Sequence, residues 1–199
     1  MDETVQSLIA LARLTLTDPS EGARRVKALD VPRAVLWQGF ALVVVMSVLL
    51  TEVGALASPA SVGMVEFLHL SPFFAGAVQA LVLWMMVHAT HRVGAAFGGE
   101  GSFEESVKLV VWLQAMLVGL QAVQLVAFFL VPALAVFLGI ASLAWFFWVL
   151  TSFVMVLHGF ESRAKVFLGI LLAFVALVFG LSVLLAMLGV VVAPPEGIQ

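Results

Sequence analysis

LVVWLQAMLVGLQAVQLVAFFLVPALAVFLGIASLAWFFWVLTSFVMVLHGF, residues 109–160, is a run of 52 residues without Asp, Glu, Lys or Arg. As one helix it would extend about 78 Å at ~1.5 Å per residue, whereas about 20 residues suffice to cross a hydrocarbon core of ~30 Å. Two crossings are therefore folded into it. Pro132 supplies the break, because a helix tends to end before a proline and a new one can open on it. The spacing predicts spans near 106–130 and 133–157.

On the N-terminal side of this pair, Pro32 opens a span predicted over about 34–55, free of Asp, Glu, Lys and Arg from 34 to 51, and Ser71 and Pro72 open another over about 72–94, with no fixed charge between Glu66 and Arg92. A last span is predicted near 165–192, ended by Pro194 and Pro195. Residues 56–71 contain Ser58, Pro59, Ser61, Gly63 and Glu66 and read as a turn-rich loop. Gly98, Gly99, Glu100 and Gly101 read as a hinge, followed by Ser102 and Glu105 at capping-box spacing. Before the first span, Val5, Leu8, Ile9, Ala12 and Leu16 recur at helical spacing over residues 3–17. Asp18, Pro19 and Glu21 then start a second short helix carrying Arg24, Arg25 and Lys27. The expected fold is all-α: a polytopic membrane protein, a bundle of five transmembrane helices with short N-terminal amphipathic helices. Its parts are a cytoplasmic amphipathic and basic head at 1–33, a membrane domain at 34–193 and a tail at 194–199.

Composition agrees, with 63% hydrophobic and 11% charged residues against about 45–50% and about 25% in soluble domains. No cysteine is present, which excludes disulfides, thiolate metal sites and S-palmitoylation. The basic residues are few and scattered among spans, which excludes nucleic-acid binding. Their distribution instead orients the chain. Arg13, Arg24, Arg25, Lys27 and Arg33 precede the first span, Arg92 and Lys108 flank the connection between spans two and three, and Arg163 and Lys165 flank that between four and five. All nine fall on one side, which the positive-inside rule makes cytoplasmic. The N-terminus is expected inside and the C-terminus outside.

Three groups of polar residues are candidate sites. His88 and His91 lie three residues apart at the inner end of span two, and topology brings His158 to the same depth, beside Glu104, Glu105 and Glu161. Imidazoles so placed could bind a divalent metal or relay protons, although solvated polar residues at helix ends account for them more simply. Gln114, Gln121 and Gln124 form a polar stripe on span three that Gln38 and Gln79 could meet. Such amides ordinarily tie helices together; the sharper alternative is a hydrated path with Glu52 and His69 at its outer mouth. Arg24, Arg25 and Lys27 are placed to contact lipid head groups. Gly76 with Ala80, Ala135 with Gly139, and Gly169 with Ala173 have the small-residue spacing that lets helices approach closely. G-x-S-x-G, H-E-x-x-H and P-loop patterns are absent, and no cofactor is implied.

Taken as an ensemble, the lead with Asp18, Pro19 and the basic helix, then Gly98, Gly99, Gly101, Ser102 and Phe103, then Trp148 through His158 and Gly159 to Lys165, resembles the Yip1-domain family in its bacterial branch. The resemblance covers most of the chain and implies a five-span protein of the bacterial cytoplasmic (inner) membrane. Eukaryotic members are associated with small prenylated GTPases and early secretory traffic; this chain lacks their acidic, proline-containing head. The expected function is a non-enzymatic scaffold or adaptor whose partners are membrane lipids, another protein or a second copy of itself. The alternative is a small transporter, channel or lipid-translocating protein using the glutamine stripe.

Overall fold

The computed structural model of the chain describes residues 3–57 and 71–187. The described residues form seven helices: α1 Glu3–Thr17, α2 Pro19–Ala28, α3 Arg33–Ala57, α4 Pro72–Ala96, α5 Phe103–Leu130, α6 Pro132–His158 and α7 Arg163–Met187. Helices α3 to α7 are each long and apolar enough to cross a membrane. The expected all-α architecture, five spans behind two short helices, is the one that forms. The loop expected at 56–71 lies, from residue 58 to 70 and so with His69, outside the described residues. The same holds for the end of span five beyond residue 187 and for the tail at 194–199.

The helix boundaries have local chemical causes. Asp18 caps α2 by accepting the backbone N–H groups of Ser20 and Glu21, each at 3.1 Å, with Pro19 in the first turn, where its missing N–H costs nothing. Ser71 caps α4 through the Phe73 N–H at 3.2 Å. The Ser102–Glu105 capping box at the start of α5 is complete in both directions. Val131 alone separates α5 from α6, and Pro132 begins the new helix. Gly159, at φ 72°, ends α6 in the left-handed conformation that glycine adopts without a Cβ penalty.

Helix α5 packs against α3, α4, α6 and α2, and α6 in turn touches α2, α4 and α7. One buried cluster joins Leu109 and Leu113 of α5 to Val149, Phe153 and Leu157 of α6 and to Ala23 and Val26 of α2. A second joins Leu36 and Val43 of α3 to Leu83 and Val87 of α4 and Val107 and Val110 of α5. Leu172, Val175 and Phe179 of α7 stay exposed, as suits side chains that meet acyl chains rather than water. Of the small-residue positions, Gly76 approaches Val48 of α3 and Gly139 approaches Gln124 of α5, while Gly169 has open space beside it.

The head is docked on the bundle. Pro19, Gly22, Ala23 and Val26 of α2 are buried. Thr15 of α1 is fully buried; its hydroxyl donates to the Leu11 carbonyl at 2.9 Å and accepts the Trp112 indole N–H of α5 at 3.0 Å. Helices α1 and α2 can meet there because residue 22 has no side chain: a Cβ would come 2.7 Å from Thr15 Oγ1 and 2.9 Å from Thr15 Cα. Gly22→Val should therefore lift α1 from α2 at a cost of roughly 1–3 kcal/mol, the range for forcing extra atoms into a packed site. The check is limited trypsin digestion in detergent, which should cut the variant at Arg13 faster than the parent.

Candidate functional site

Two polar assemblies lie within the bundle. The first is at the basic end, where α2, the α4–α5 connection and the end of α6 converge around His158. This side chain is 3% exposed, and both ring nitrogens are bonded to backbone. Nδ1 accepts the Gly101 N–H at 3.2 Å, which leaves Nε2 to carry the proton and donate it to the Thr90 carbonyl at 2.9 Å. Phe160 stacks on the ring at 5.4 Å.

Glycines make the space for it. A Cβ on Gly94 or Gly99 would fall onto the His158 imidazole, and one on Gly101 would strike Leu157. Gly98, at φ 84°, turns the chain out of α4 so that the later glycines can wrap the ring. The same connection holds His91, whose Nδ1 donates to the Gly101 carbonyl at 3.2 Å. Gly101 thus engages one histidine through its N–H and another through its C=O.

The head closes this assembly from outside. Lys27 Nζ lies 3.4 Å from the Leu157 carbonyl and 3.5 Å from Glu105 Oε1, so it satisfies a C-terminal carbonyl of α6 and an acid of α5 together. Lys108 donates to the Leu29 carbonyl at 2.6 Å, and Arg33 lies 3.9 Å from Glu104. Arg24 and Arg25 are on the outer face of α2 and both bond Glu21, at 2.7 and 3.3 Å. The hydrogen bond from Arg24, then that from Arg25, holds the Glu21 carboxyl below its ordinary range. Of the three residues read as lipid contacts, Arg24 and Arg25 face outward, while Lys27 is turned into the network.

The histidines divide in the same way. His158 is occupied on both nitrogens. His88 donates Nδ1 to the Trp84 carbonyl at 3.1 Å and packs on Trp84 and Phe103, with ring centroids at 4.5 and 5.2 Å. Among the described residues no three His, Asp or Glu side chains are grouped to hold a metal ion.

The second assembly is the glutamine stripe, which the fold divides. Gln114 Nε2 donates to Ser47 Oγ at 3.0 Å, and Gln121 Nε2 to Thr51 Oγ1 at 3.0 Å, both joining α5 to α3. Gln124 turns to α6 and the Ala135 carbonyl at 3.5 Å. Gln79 is half-buried in α4, Gln38 is exposed, and neither joins the others. Sequence reasoning missed Ser47 and Thr51, although two hydroxyls four residues apart in an uncharged span were the available signal. It also missed Thr15, Trp112 and the glycine cradle.

The fit between His158 and its cradle yields a double-mutant prediction. Gly94→Ala should cost roughly 1–3 kcal/mol by overpacking, but in a His158→Ala background the added methyl should cost less than about 0.5 kcal/mol, because the two sites are in contact and couple. Thermal midpoints of the four proteins in one detergent measure this; equal penalties in both backgrounds would contradict the cradle.

A model of the Yip1 domain matches residues 13–184. No curated protein and no solved structure matches the chain. The matched segment runs from the docked head through the glycine cradle and the α6 terminus into α7, and with five helices fit to cross a membrane it makes this chain an integral membrane protein of the Yip1-domain family.

Proposed function

We propose that this protein is a non-enzymatic membrane scaffold or adaptor of a bacterial cytoplasmic membrane, N-terminus inside and C-terminus outside, whose basic end presents a fixed platform to lipid or to a protein partner. The observation that carries this reading is the docking of α1 and α2. A head whose buried face is fastened by Thr15–Trp112, Lys27–Glu105 and Lys108–Leu29 holds its outer face in one orientation. Rigid display lowers the ordering cost of binding. That outer face carries Arg24 and Arg25, while the exposed Val5, Leu8, Ile9 and Leu16 of α1 lie within one helical arc suited to the membrane interface.

Orientation draws support from the same contacts. Lys27 meets Leu157 and Glu105, and Gly101 meets His158, so α2, the α4–α5 connection and the end of α6 share one end of the bundle. An excess of Lys and Arg at one end favours the cytoplasm. Transport is the weaker reading, because Gln114 and Gln121 spend donors on Ser47 and Thr51 instead of lining a path.

A photo-crosslinking residue at position 24 or 25, introduced into the full chain in inverted membrane vesicles, should give a discrete adduct with one protein or lipid. Proteoliposomes should show ion leak and lipid scrambling no faster than empty vesicles. Flux above that background, abolished by Gln114→Ala with Gln121→Ala, would replace the scaffold with a transporter.

A further inference from the structure

We propose that the recess between α4 and the start of α5 at the basic end is a binding site for one anionic glycerophospholipid with a hydroxylated head group, of the phosphatidylglycerol type, held by Arg92, His88 and His91. The leaflet it draws from rests on the orientation proposed above; the site itself does not. The recess is open, about 700 Å³, and is lined by His88, His91, Arg92, Ala95, Ala96 and Phe103.

Charge selects the ligand. Arg24 and Arg25 are paired with Glu21, Lys27 with Glu105, and Arg33 lies near Glu104. Arg92 is exposed and, like Arg13, Lys108, Arg163 and Lys165, has no carboxylate partner among the described residues, and of these five it is the one that lines the recess. An unpaired guanidinium is a fork for phosphate oxygens. The two histidines add the second requirement. Each donates Nδ1 to a backbone carbonyl, His88 to Trp84 and His91 to Gly101, which fixes the tautomer and leaves Nε2 as a hydrogen-bond acceptor without a protein partner among the described residues. A ligand that satisfies all three groups brings an anion together with hydroxyl donors. A phosphodiester carrying a glycerol head group brings both.

Aromatic side chains give the acyl chains a way out. His91 and His88 pack on Phe103, His88 packs on Trp84, and Trp84 packs on Trp37 at 5.6 Å. Trp84 and Trp37 are exposed on the apolar surface, where tryptophan marks the head-group level of a membrane. The recess is therefore continuous with lipid, which favours a membrane-borne phosphate over a dissolved one.

The test is native mass spectrometry of the full chain released from nanodiscs of mixed phosphatidylglycerol and phosphatidylcholine. The parent should retain one phosphatidylglycerol in preference to phosphatidylcholine by about tenfold or more. R92Q should remove most of that preference, and H88N with H91N, which keeps a donor in the Nδ1 position and deletes the Nε2 acceptor, should reduce it, both with thermal midpoints near the parent's. R163Q, which alters a cation outside the recess, should leave it unchanged. Undiminished preference in R92Q and in H88N/H91N would overturn the site. Equal loss in R163Q would reduce it to general attraction of anionic lipid, and displacement by millimolar inorganic phosphate would make it a site for soluble phosphate; either result overturns the proposal. A retained lipid alongside vesicle flux would leave this site standing and remove the scaffold, whereas a crosslinked partner without lipid preference would do the reverse.

Discussion

A buried imidazole in a membrane protein must have both nitrogens satisfied, and His158 meets that demand with two backbone groups from other segments. Its Nδ1 takes the Gly101 N–H and its Nε2–H reaches the Thr90 carbonyl, so one side chain at the end of α6 ties together α4 and the entry to α5. Each bond contributes roughly 0.5–1.5 kcal/mol net, but leaving either group buried and unpaired costs more, about 1–3 kcal/mol. That asymmetry makes His158 a constraint on geometry. The glycines at 94 and 99 follow from it, since no side chain fits where the ring lies, and Gly101 is required by the adjoining Leu157. Lys27 follows as well: the Leu157 carbonyl beside the ring accepts its ammonium, and α2 is drawn onto the bundle.

Two hydroxyls and two amides of the spans are paired in the same way, whereas the Trp145 indole N–H is buried without a hydrogen-bond partner among the described residues. Ser47 and Thr51 accept from Gln114 and Gln121, so the α3–α5 contact is specified by matched donors and acceptors as well as by shape. Between lipid-facing helices the hydrophobic effect gives little guidance, because acyl chains are as apolar as leucine. Small residues and paired amides are then what distinguishes one packing from another. Helix α7 carries no Asn or Gln, has open space beside Gly169 and Gly180, and sits at the margin against α6 and α4.

The fold class was legible because its determinants are local. Fifty-two uncharged residues interrupted by Pro132 can only be two spans, and Asp18, Ser71, Ser102 and Pro132 mark helix starts by their chemistry alone. The site was less legible for a physical reason. A stripe such as Val5, Leu8, Ile9 and Leu16 shows that a helix has an apolar face but not what covers that face, and the same pattern suits a membrane surface or a protein groove. In α2 it was the bundle that covered the face, which is why Lys27 faces Glu105 while Arg24 and Arg25 stay outside. The glycines at 98, 99 and 101 read as a hinge because nothing local records that a histidine some sixty positions later fills the space beside them. His88, His91 and His158 all engage Nδ1, yet differ in which nitrogen carries the proton, and only the three-dimensional partners decide that.

His158 is locked as the Nε2–H tautomer between two backbone groups. The most direct measurement is 15N NMR of the histidine side chains in nanodiscs at neutral pH, with His158 assigned by substitution. His158 should show a single slowly exchanging state with Nε2 protonated and Nδ1 bare, opposite to the Nδ1–H form required of His88 and His91 by their carbonyl partners. A His158 resonance averaged between tautomers, or one with the proton on Nδ1, would contradict it.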